Sequence, residues 1–147
     1  MAVETFKAVA RGKEGLAVET DVRGFKIRFD EPEELGGTNS GLNPVEGVLS
    51  CLGACQAIVA AAFAAEFGID LQDFWVELEG DLDPDGFMGL SDVRPGFLEV
   101  RANMHIKSDA PEDKLAEFVE FIEKRCPVGD TLGNGIKVAA ATLTVEK

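Results

Sequence analysis

Three cysteines are the residues of this chain with the most reactive side chains. Cys51 and Cys55 lie four residues apart in an apolar stretch, and Cys126 lies much later, directly before a proline. If the apolar stretch is a helix, the four-residue spacing places Cys51 and Cys55 on one side of it. A sulfur there can fill space, form a disulfide, bind a metal or react as a thiolate. Packing alone is the favoured interpretation for Cys51, because free cysteine is among the most buried residue types.

Metal binding and hydrolysis are weaker interpretations. The cysteines and the single histidine, His105, supply the atom types of a zinc site, but the chain has no CxxC pair. His105 also falls on the polar side of an alternating run, which disfavours a Cys–His hydrolase. The glycine-rich GGTNSG lacks the Lys-Ser/Thr of a phosphate-binding loop and is more simply a flexible connection. We therefore expect neither a metal nor a cofactor.

The apolar stretch has the start and stop signals of one long helix. Asn43 is a candidate N-cap, and Pro44 suits the first turn. Glu46 can complete a capping box, and Gly68 is a candidate C-cap. Residues 47–65 carry no charge over 19 positions, which approaches the ~20 needed to cross a bilayer. The capping residues, and the absence of a Lys or Arg cluster at either end, favour a buried helix over a membrane span.

Shorter elements surround this helix in the sequence. β-prone runs separated by glycines predict a three-stranded meander, and two alternating runs predict a hairpin with one wet face. These runs cover residues 5–10, 16–22, 25–30, 71–80 and 98–107. The DPDG sequence between the last two runs predicts a turn. Asp109 and Pro111 open a second helix that Pro127 stops, and residues 135–145 are predicted to form a last strand.

The element order β-β-β-α-β-β-α-β describes an α+β fold, with a curved, mainly antiparallel sheet around a long buried central helix. With 147 residues, the chain has the size of a single domain, residues 1–147. The net charge of −13 opposes binding to nucleic acids and to anionic membranes. The first residues show no export signal, and three cysteines do not suit a paired disulfide framework. We therefore expect reduced thiols and a cytoplasmic protein.

Longer patterns in the sequence resemble the OsmC-like family, which includes the organic hydroperoxide resistance proteins. The matching segments are DEPEELGGTNSGLNPVEGVLSCLGACQA, GDLDPDGFMGLSDVRPGF, HIKSDAPEDKL and RCPVGDTL. The most specific features are an Asn-Pro pair followed, eleven residues after the proline, by Cys55, and a second cysteine before a proline, Cys126. The resemblance implies an intertwined homodimer with two sites at its interface. It also implies an organic hydroperoxide as substrate and a thiol reductant that the sequence does not identify.

The resemblance also implies roles for individual residues. In the peroxidase branches of the family one cysteine attacks the peroxide and a second resolves the product as a disulfide, which corresponds here to Cys55 and Cys126. The attacking thiolate is activated there by an arginine after the first strand and a glutamate after the Asn-Pro proline. Here the matching loop offers Lys13, and Glu46 lies one position late because Val45 follows the proline. Other cations in this part of the chain are Arg11, Arg23 and Arg28.

Physical reasoning supports the same division of roles while leaving other functions open. At the end of the second helix, the negative end of the helix dipole is expected to raise the pKa of Cys126, which suits a resolving thiol better than an attacking one. The departures from the Arg and Glu pattern favour a non-enzymatic redox sensor or a binder of small apolar ligands on the same fold. A dimeric interaction protein with inert, buried cysteines is a further possibility.

Overall fold

The computed structural model describes residues 2–147 as two compact units, of which one ends at Ser50 and the other runs from Cys51 to Lys147. Each unit has its own antiparallel sheet, and helices account for much of the second unit. The α+β class predicted from the sequence is therefore confirmed. The strands form two small sheets in place of the single curved sheet that was expected.

The first sheet is the predicted three-stranded meander. Its strands are β1 (Val9–Gly12), β2 (Val18–Val22) and β3 (Phe25–Phe29). The turn from β2 to β3 consists of Arg23 and Gly24, both with positive φ, as a type I′ hairpin turn requires. The first strand begins at Val9 rather than at residue 5, because Val9 already pairs with Asp21 near the end of β2.

A buried carboxylate organises the loop that follows β3. Asp30 is 2% exposed, and it accepts hydrogen bonds from the Ser40 and Thr38 hydroxyls at 2.6 and 2.7 Å. The backbone N–H groups of Ser40, Thr38 and Glu31 also donate to its oxygens. These hydrogen bonds hold the pKa of Asp30 far below its usual range. The bonds from the Ser40 and Thr38 side chains have the largest effect, and those from the backbone N–H groups add to it. The GGTNSG segment, expected to be flexible, is thus held by hydrogen bonds to the buried carboxylate of Asp30.

The long helix α1 (Pro44–Phe63) begins with the predicted capping box. Asn43 Oδ1 accepts a hydrogen bond from the Glu46 N–H at 2.9 Å, and Glu46 Oε1 accepts one from the Asn43 N–H at 2.8 Å. The helix continues as a 3₁₀ turn, Ala64–Phe67, and stops at Gly68, whose φ of 64° is left-handed. The start and stop signals in the sequence are therefore confirmed.

The burial of α1 in the single chain is lower than the sequence predicted. Ile58 is 68% exposed. Within Pro44–Phe67, only 28% of the most apolar 18-residue stretch is buried. By length and composition alone, Pro44–Phe67 could cross a membrane, a test that the core helix of a globular protein also passes. One side of α1 is therefore apolar and uncovered in the single chain.

The second sheet is a hairpin of β4 (Asp73–Leu82) and β5 (Phe97–Lys107). Its register pairs Trp75 with His105, and successive residues of β4 alternate between exposed and partly buried positions. The wet face predicted for β4 is therefore confirmed. The alternation predicted for β5 is not continuous, because Leu98, expected to face inward, is 58% exposed. The DPDG sequence does not form a simple turn, because Asp83 Oδ1 accepts the Asp85 N–H at 3.0 Å and opens the short helix α2 (Pro84–Met88).

The helix α3 (Glu112–Arg125) joins α1 through the core of the second unit. Its Phe118 and Ile122 are 0% exposed and belong to the same apolar cluster as Val59 and Ala60 of α1. The predicted start after Asp109 and Pro111 and the end before Pro127 are confirmed. This packing places the end of α3 beside the middle of α1.

The last part of the chain departs from the prediction in two ways. Pro127 stops α3 but also begins the helix α4 (Pro127–Asn134). A proline is tolerated in the first turn of a helix, because the N–H that it lacks would have no partner there. The strand predicted for residues 135–145 is wrong, since no regular secondary structure follows Asn134. A strand needs a neighbouring edge, and no strand among residues 2–147 pairs with this segment. Its Ile136, Val138 and Leu143 are 68%, 87% and 85% exposed.

Candidate active site

The two cysteines singled out by the sequence pattern meet in the structure. Cys55 lies on α1 and is half-buried, whereas Cys126 lies between α3 and α4 and is 0% exposed. The two thiols lie close enough for Cys55 to influence the protonation of Cys126, and both are free. The contact depends on the apolar core, in which Phe118 and Ile122 of α3 pack against α1. Two reduced thiols that are neighbours in the fold are candidates for a disulfide.

The protonation of Cys126 is controlled by its burial. Burial raises the pKa of the Cys126 thiol, and the hydrogen bond with Cys55 raises it further. The Gly129 N–H donates to Cys126 Sγ at 3.3 Å and acts in the opposite direction. The sequence predicted the raised pKa but assigned it to the dipole of α3. The structure corrects this cause, because Cys126 also occupies the N-cap of α4, where a helix favours negative charge.

Leu52 and Gly129 lie near the sulfur of Cys126. A Cβ added at Gly129 would lie 3.5 Å from Cys126 Sγ and 3.6 Å from Leu52 Cδ1. Leu52 belongs to α1 and is 7% exposed. An apolar side chain and a backbone turn therefore keep water from Cys126, while Cys55 retains access to solvent.

Cys51 has a different environment from the other two cysteines. It lies one turn before Cys55 on α1 and is exposed in the single chain. The buried packing role expected for Cys51 is therefore not fulfilled within one chain.

Lys13 and Glu46, the residues expected to activate the Cys55 thiolate, have other partners in the structure. Lys13 Nζ lies 3.9 Å from Glu19 Oε1, and Glu46 belongs to the capping box with Asn43. Both residues belong to the unit that ends at Ser50, whereas both thiols of the pair belong to the unit that starts at Cys51.

Two of the three alternative cations, Arg28 and Arg23, have partners of their own in the first unit. Arg28 pairs with Glu14 and also donates to Ser40 Oγ at 2.8 Å. The Arg23 guanidinium lies 5.2 Å from the centre of the Phe25 ring. Arg11 lies opposite Glu19 in the register of β1 and β2. The contacts of Arg28 and Arg23 hold these two side chains on the surface of the first sheet or its loop.

His105 lies on the polar face of the hairpin, as predicted. Its ring stacks on Trp75 with centres 4.6 Å apart, and its Nε2 lies 3.0 Å from Glu77 Oε1. Within residues 2–147, no group of three or more His, Cys, Asp or Glu residues is arranged to hold a metal ion.

Two polar residues near the thiols were given no functional role in the prediction from the sequence. Gln56 directly follows Cys55, and its Oε1 is buried without a hydrogen-bond partner. Arg125 directly precedes Cys126, and its guanidinium lies over the rings of Phe121 and Phe63. A signal for Gln56 is its position as a lone amide in an apolar run. For Arg125 the signal is the four-residue spacing from Phe121, which places both on one side of α3.

A family model described as OsmC-like protein matches residues 37–141, which is more than half of the chain and includes both Cys55 and Cys126. The chain belongs to the OsmC-like family. This OsmC-like chain is 32% identical over 112 residues to a hydroperoxide reductase from Mycoplasma genitalium, a match that covers 74% of the chain and 72% of that relative.

Solved structures of OsmC-like proteins share the same fold. A crystal structure of an OsmC-like protein from Mycoplasma pneumoniae is similar with a TM-score of 0.78 and 25% identity, covering 90% of this chain and 89% of that one. An organic hydroperoxide resistance protein OsmC from Legionella pneumophila is similar with a TM-score of 0.68 and 25% identity, covering 90% and 92%. These similarities extend over both compact units of the OsmC-like chain described here.

Proposed function

We propose that this OsmC-like protein reduces organic hydroperoxides, with Cys55 as the attacking thiol and Cys126 as the resolving thiol. The contact between these two free thiols is the observation that carries the proposal. The names of the similar proteins, hydroperoxide reductase and organic hydroperoxide resistance protein, support the class of substrate. The residues of α1 and of the core cluster beside it are mostly apolar, which suits hydroperoxides with an organic substituent.

The exposure of the two sulfurs supports their order of reaction. A peroxide can approach Cys55, which is half-buried, but not Cys126, which is 0% exposed. The raised pKa of Cys126 also keeps that thiol protonated, and the protonated form is a poor nucleophile toward peroxide. Cys55 is therefore the thiol suited to attack first.

The reaction proceeds in three steps. The Cys55 thiolate attacks the terminal oxygen of ROOH, the O–O bond breaks, and the alcohol ROH leaves with a proton while Cys55 becomes a sulfenic acid. Cys126 then attacks the sulfenic sulfur, which forms the Cys55–Cys126 disulfide and releases water that carries the Cys126 proton. An external dithiol reduces the disulfide by exchange and becomes oxidised itself. The contact already present lets the second step occur without bringing distant helices together.

Activation of Cys55 needs a cation, for which we propose Lys13, positioned by Glu46. Each of these residues would exchange its present partner, Glu19 or Asn43, to take that role. Because Lys13 and Glu46 are paired with Glu19 and Asn43, a second function is also supported. In it Cys55 oxidises without turnover, and the protein acts as a redox sensor or a binder of small apolar ligands. Steady consumption of hydroperoxide with a dithiol supports the first function, and a single oxidation without turnover supports the second.

We further propose that the protein is an intertwined homodimer in the cytoplasm and that residues 1–147 form one domain. The exposed apolar side of α1 and the exposed apolar segment after Asn134 support the dimer, because a second chain could cover both. The family match across residues 37–141, which includes the boundary between the two units, supports the single domain.

The deciding experiment compares Cys55→Ser with Cys51→Ser in an assay of organic hydroperoxide consumption. Cys55→Ser should abolish consumption and the trapping of a sulfenic acid, because the attacking sulfur is absent. Cys51→Ser removes an exposed thiol one turn away and should keep most of both. Full activity of the Cys55 variant would refute the proposed function.

A further inference from the structure

Gln56 carries a buried polar atom that has no hydrogen-bond partner. The residue is 5% exposed, and its side-chain oxygen Oε1 accepts no hydrogen bond from residues 2–147. Asp30, the other buried polar side chain in this part of the chain, accepts hydrogen bonds from the Thr38 and Ser40 hydroxyls. An unpaired buried acceptor lowers the free energy of unfolding, because it has lost its bonds to water without replacement. The fold therefore bears a cost at Gln56 that no hydrogen bond among residues 2–147 offsets.

The neighbours of Gln56 on α1 explain why Oε1 has no donor. Residues three or four positions away on a helix are the ones that reach each other. At that spacing from Gln56 lie Leu52, Gly53, Val59 and Ala60, none of which has a polar side chain. A buried water needs several polar partners, and the side chains of these four residues offer none. A donor for Oε1 must therefore come from another part of the site.

The side chain of Gln56 lies on the side of α1 that faces the end of α3. Leu52, one turn before Gln56, lies near the sulfur of Cys126. Ala60, one turn after Gln56, belongs to the same core cluster as Ile122, which lies four residues before Cys126 on α3. Leu52, Gln56 and Ala60 are all buried. Gln56 thus occupies the middle of the stripe of α1 that packs toward Cys126.

Cys55 is the second sulfur residue near Gln56, because it directly precedes Gln56 in the sequence. In the reduced protein neither Cys55 nor Cys126 donates a hydrogen bond to Gln56 Oε1. The proposed attack on a hydroperoxide converts the Cys55 thiol to a sulfenic acid, which carries an O–H group. This hydroxyl is a stronger donor than the S–H that it replaces. Oxidation of Cys55 therefore creates the kind of group that Gln56 lacks in the reduced protein.

We propose that Gln56 Oε1 accepts a hydrogen bond from the hydroxyl of the Cys55 sulfenic acid and orients it for attack by Cys126. The proposal rests on the proposed reduction of hydroperoxides, and it adds a third residue to the second step of that reaction. The Cys126 sulfur attacks the sulfenic sulfur, the S–O bond breaks and the S–S bond forms. The hydroxyl leaves as water with the proton of Cys126, so this step needs no further oxidant or reductant.

The burial of Cys126 explains why the orientation of the hydroxyl matters. Cys126 is 0% exposed, so its proton has to pass directly to the leaving oxygen and not to solvent. When Gln56 binds the hydrogen of the sulfenic hydroxyl, the lone pairs of the oxygen stay free to receive that proton. A neutral amide suits this position, because a carboxylate would bring an unpaired charge into apolar surroundings.

The test separates the two thiol steps in a single turnover with one equivalent of an organic hydroperoxide. The sulfenic acid of Cys55 is trapped with dimedone, and the disulfide is measured by mass spectrometry in samples quenched over time. In Gln56→Leu the oxidation of Cys55 should keep its wild-type rate. Disulfide formation should slow about tenfold, as loss of one hydrogen bond in the reacting state predicts. The sulfenic acid should therefore persist longer and overoxidise more.

Two further variants show whether the acceptor, and not the shape of the side chain, is responsible. Gln56→Met keeps the length of the side chain without its amide, and it should slow disulfide formation as much as Gln56→Leu does. Gln72→Leu is the matched control, because it makes the same replacement at an exposed glutamine. It should leave the rates of both steps close to those of wild type.

Stability distinguishes this role of Gln56 from a structural one. Gln56→Leu removes an unpaired buried acceptor, so its Tm should equal or exceed that of wild type. A Tm lowered by several degrees in both Gln56 variants would overturn the proposal, and so would disulfide formation at the wild-type rate in either of them. Equal slowing of Cys55 oxidation and disulfide formation would overturn it as well. Absence of Cys55 oxidation in wild type would refute the proposed function instead.

Discussion

Cys126 Sγ accepts a hydrogen bond from the Gly129 N–H at 3.3 Å, so the residue that closes α3 also caps α4. This position fixes the sulfur between two helices and keeps it out of water. The N–H bond lowers the pKa of Cys126, while burial and the contact with Cys55 raise it by more. A thiol that is fixed, dry and protonated is suited to react with a sulfur already in contact with it, and poorly suited to react with a peroxide from solvent.

The first prediction concerns this division of roles. Cys126→Ser should leave the first oxidation of Cys55 intact but stop turnover supported by a dithiol, because no thiol remains to resolve the sulfenic acid. The sulfenic acid should then accumulate or overoxidise. Mass spectrometry after one equivalent of an organic hydroperoxide measures this, since wild type should contain a Cys55–Cys126 disulfide within one chain.

Cys51→Ser is the control for the resolving role, because it removes a thiol from the same helix face as Cys55 without touching Cys126. It should form the same disulfide as wild type. A Cys51–Cys55 bridge in wild type, or sustained turnover in Cys126→Ser, would show that the resolving thiol has been assigned to the wrong residue.

The second prediction concerns Asp30 and pH. Asp30→Asn should lower Tm by several degrees at neutral pH, because its NH2 group replaces one of the two acceptor oxygens, and Asp30 Oδ2 alone accepts from both hydroxyls and both N–H groups of Thr38 and Ser40. The pKa of Asp30 is depressed in the folded protein, so its contribution is complete above the unfolded value of about 3.9 and is lost as the pH falls through the folded value. The difference in Tm should therefore be constant near neutral pH and shrink below about pH 4.

Asp92→Asn is the matched control for this prediction. Asp92 is exposed in the loop between α2 and β5, so its replacement should leave Tm nearly unchanged at each pH. Thermal unfolding followed by circular dichroism measures both variants. Equal unfolding temperatures for wild type and Asp30→Asn would contradict a stabilising role of the buried carboxylate.

The third prediction concerns the uncovered side of α1. The protein should sediment as a dimer at micromolar concentration, with an interface larger than the ~1,200 to 2,000 Å² of a standard one. Ile58→Glu should shift it toward a monomer, because Ile58 is 68% exposed in the single chain and a charge there opposes burial. Ile58→Val keeps the apolar surface and should remain dimeric. A stable monomer in wild type, or recovery of wild type only from a membrane fraction, would contradict the proposed dimer.

Local chemistry explains why parts of the fold could be predicted from the sequence. The limits of α1 depend on Asn43 and Glu46 at one end and Gly68 at the other, and each acts on backbone groups within a few residues. The strand β4 follows from the alternation of its residues, which matches their burial. The helix α4 was missed because Pro127 permits either the end of one helix or the start of another.

Pairing with distant segments explains the predictions that were wrong. The segment 135–145 has the residue types of a strand, but an edge to pair with is not encoded in the segment itself, and none is supplied within the described chain. The number of sheets was missed for the same reason, because alternation identifies strands without identifying their neighbours.

The sequence by itself determined the residue types of the thiol pair, the helix that carries Cys55, the element boundaries near both cysteines and the family to which the chain belongs. The tertiary structure decided that Cys126 contacts Cys55, since that contact requires Phe118 and Ile122 to pack α3 onto α1. It also decided that burial sets the pKa of Cys126, and that Arg125 rests on two rings without a carboxylate. Contacts between residues far apart in the chain arise only when the core forms, because burial of apolar surface, and not local hydrogen bonding, brings those segments together.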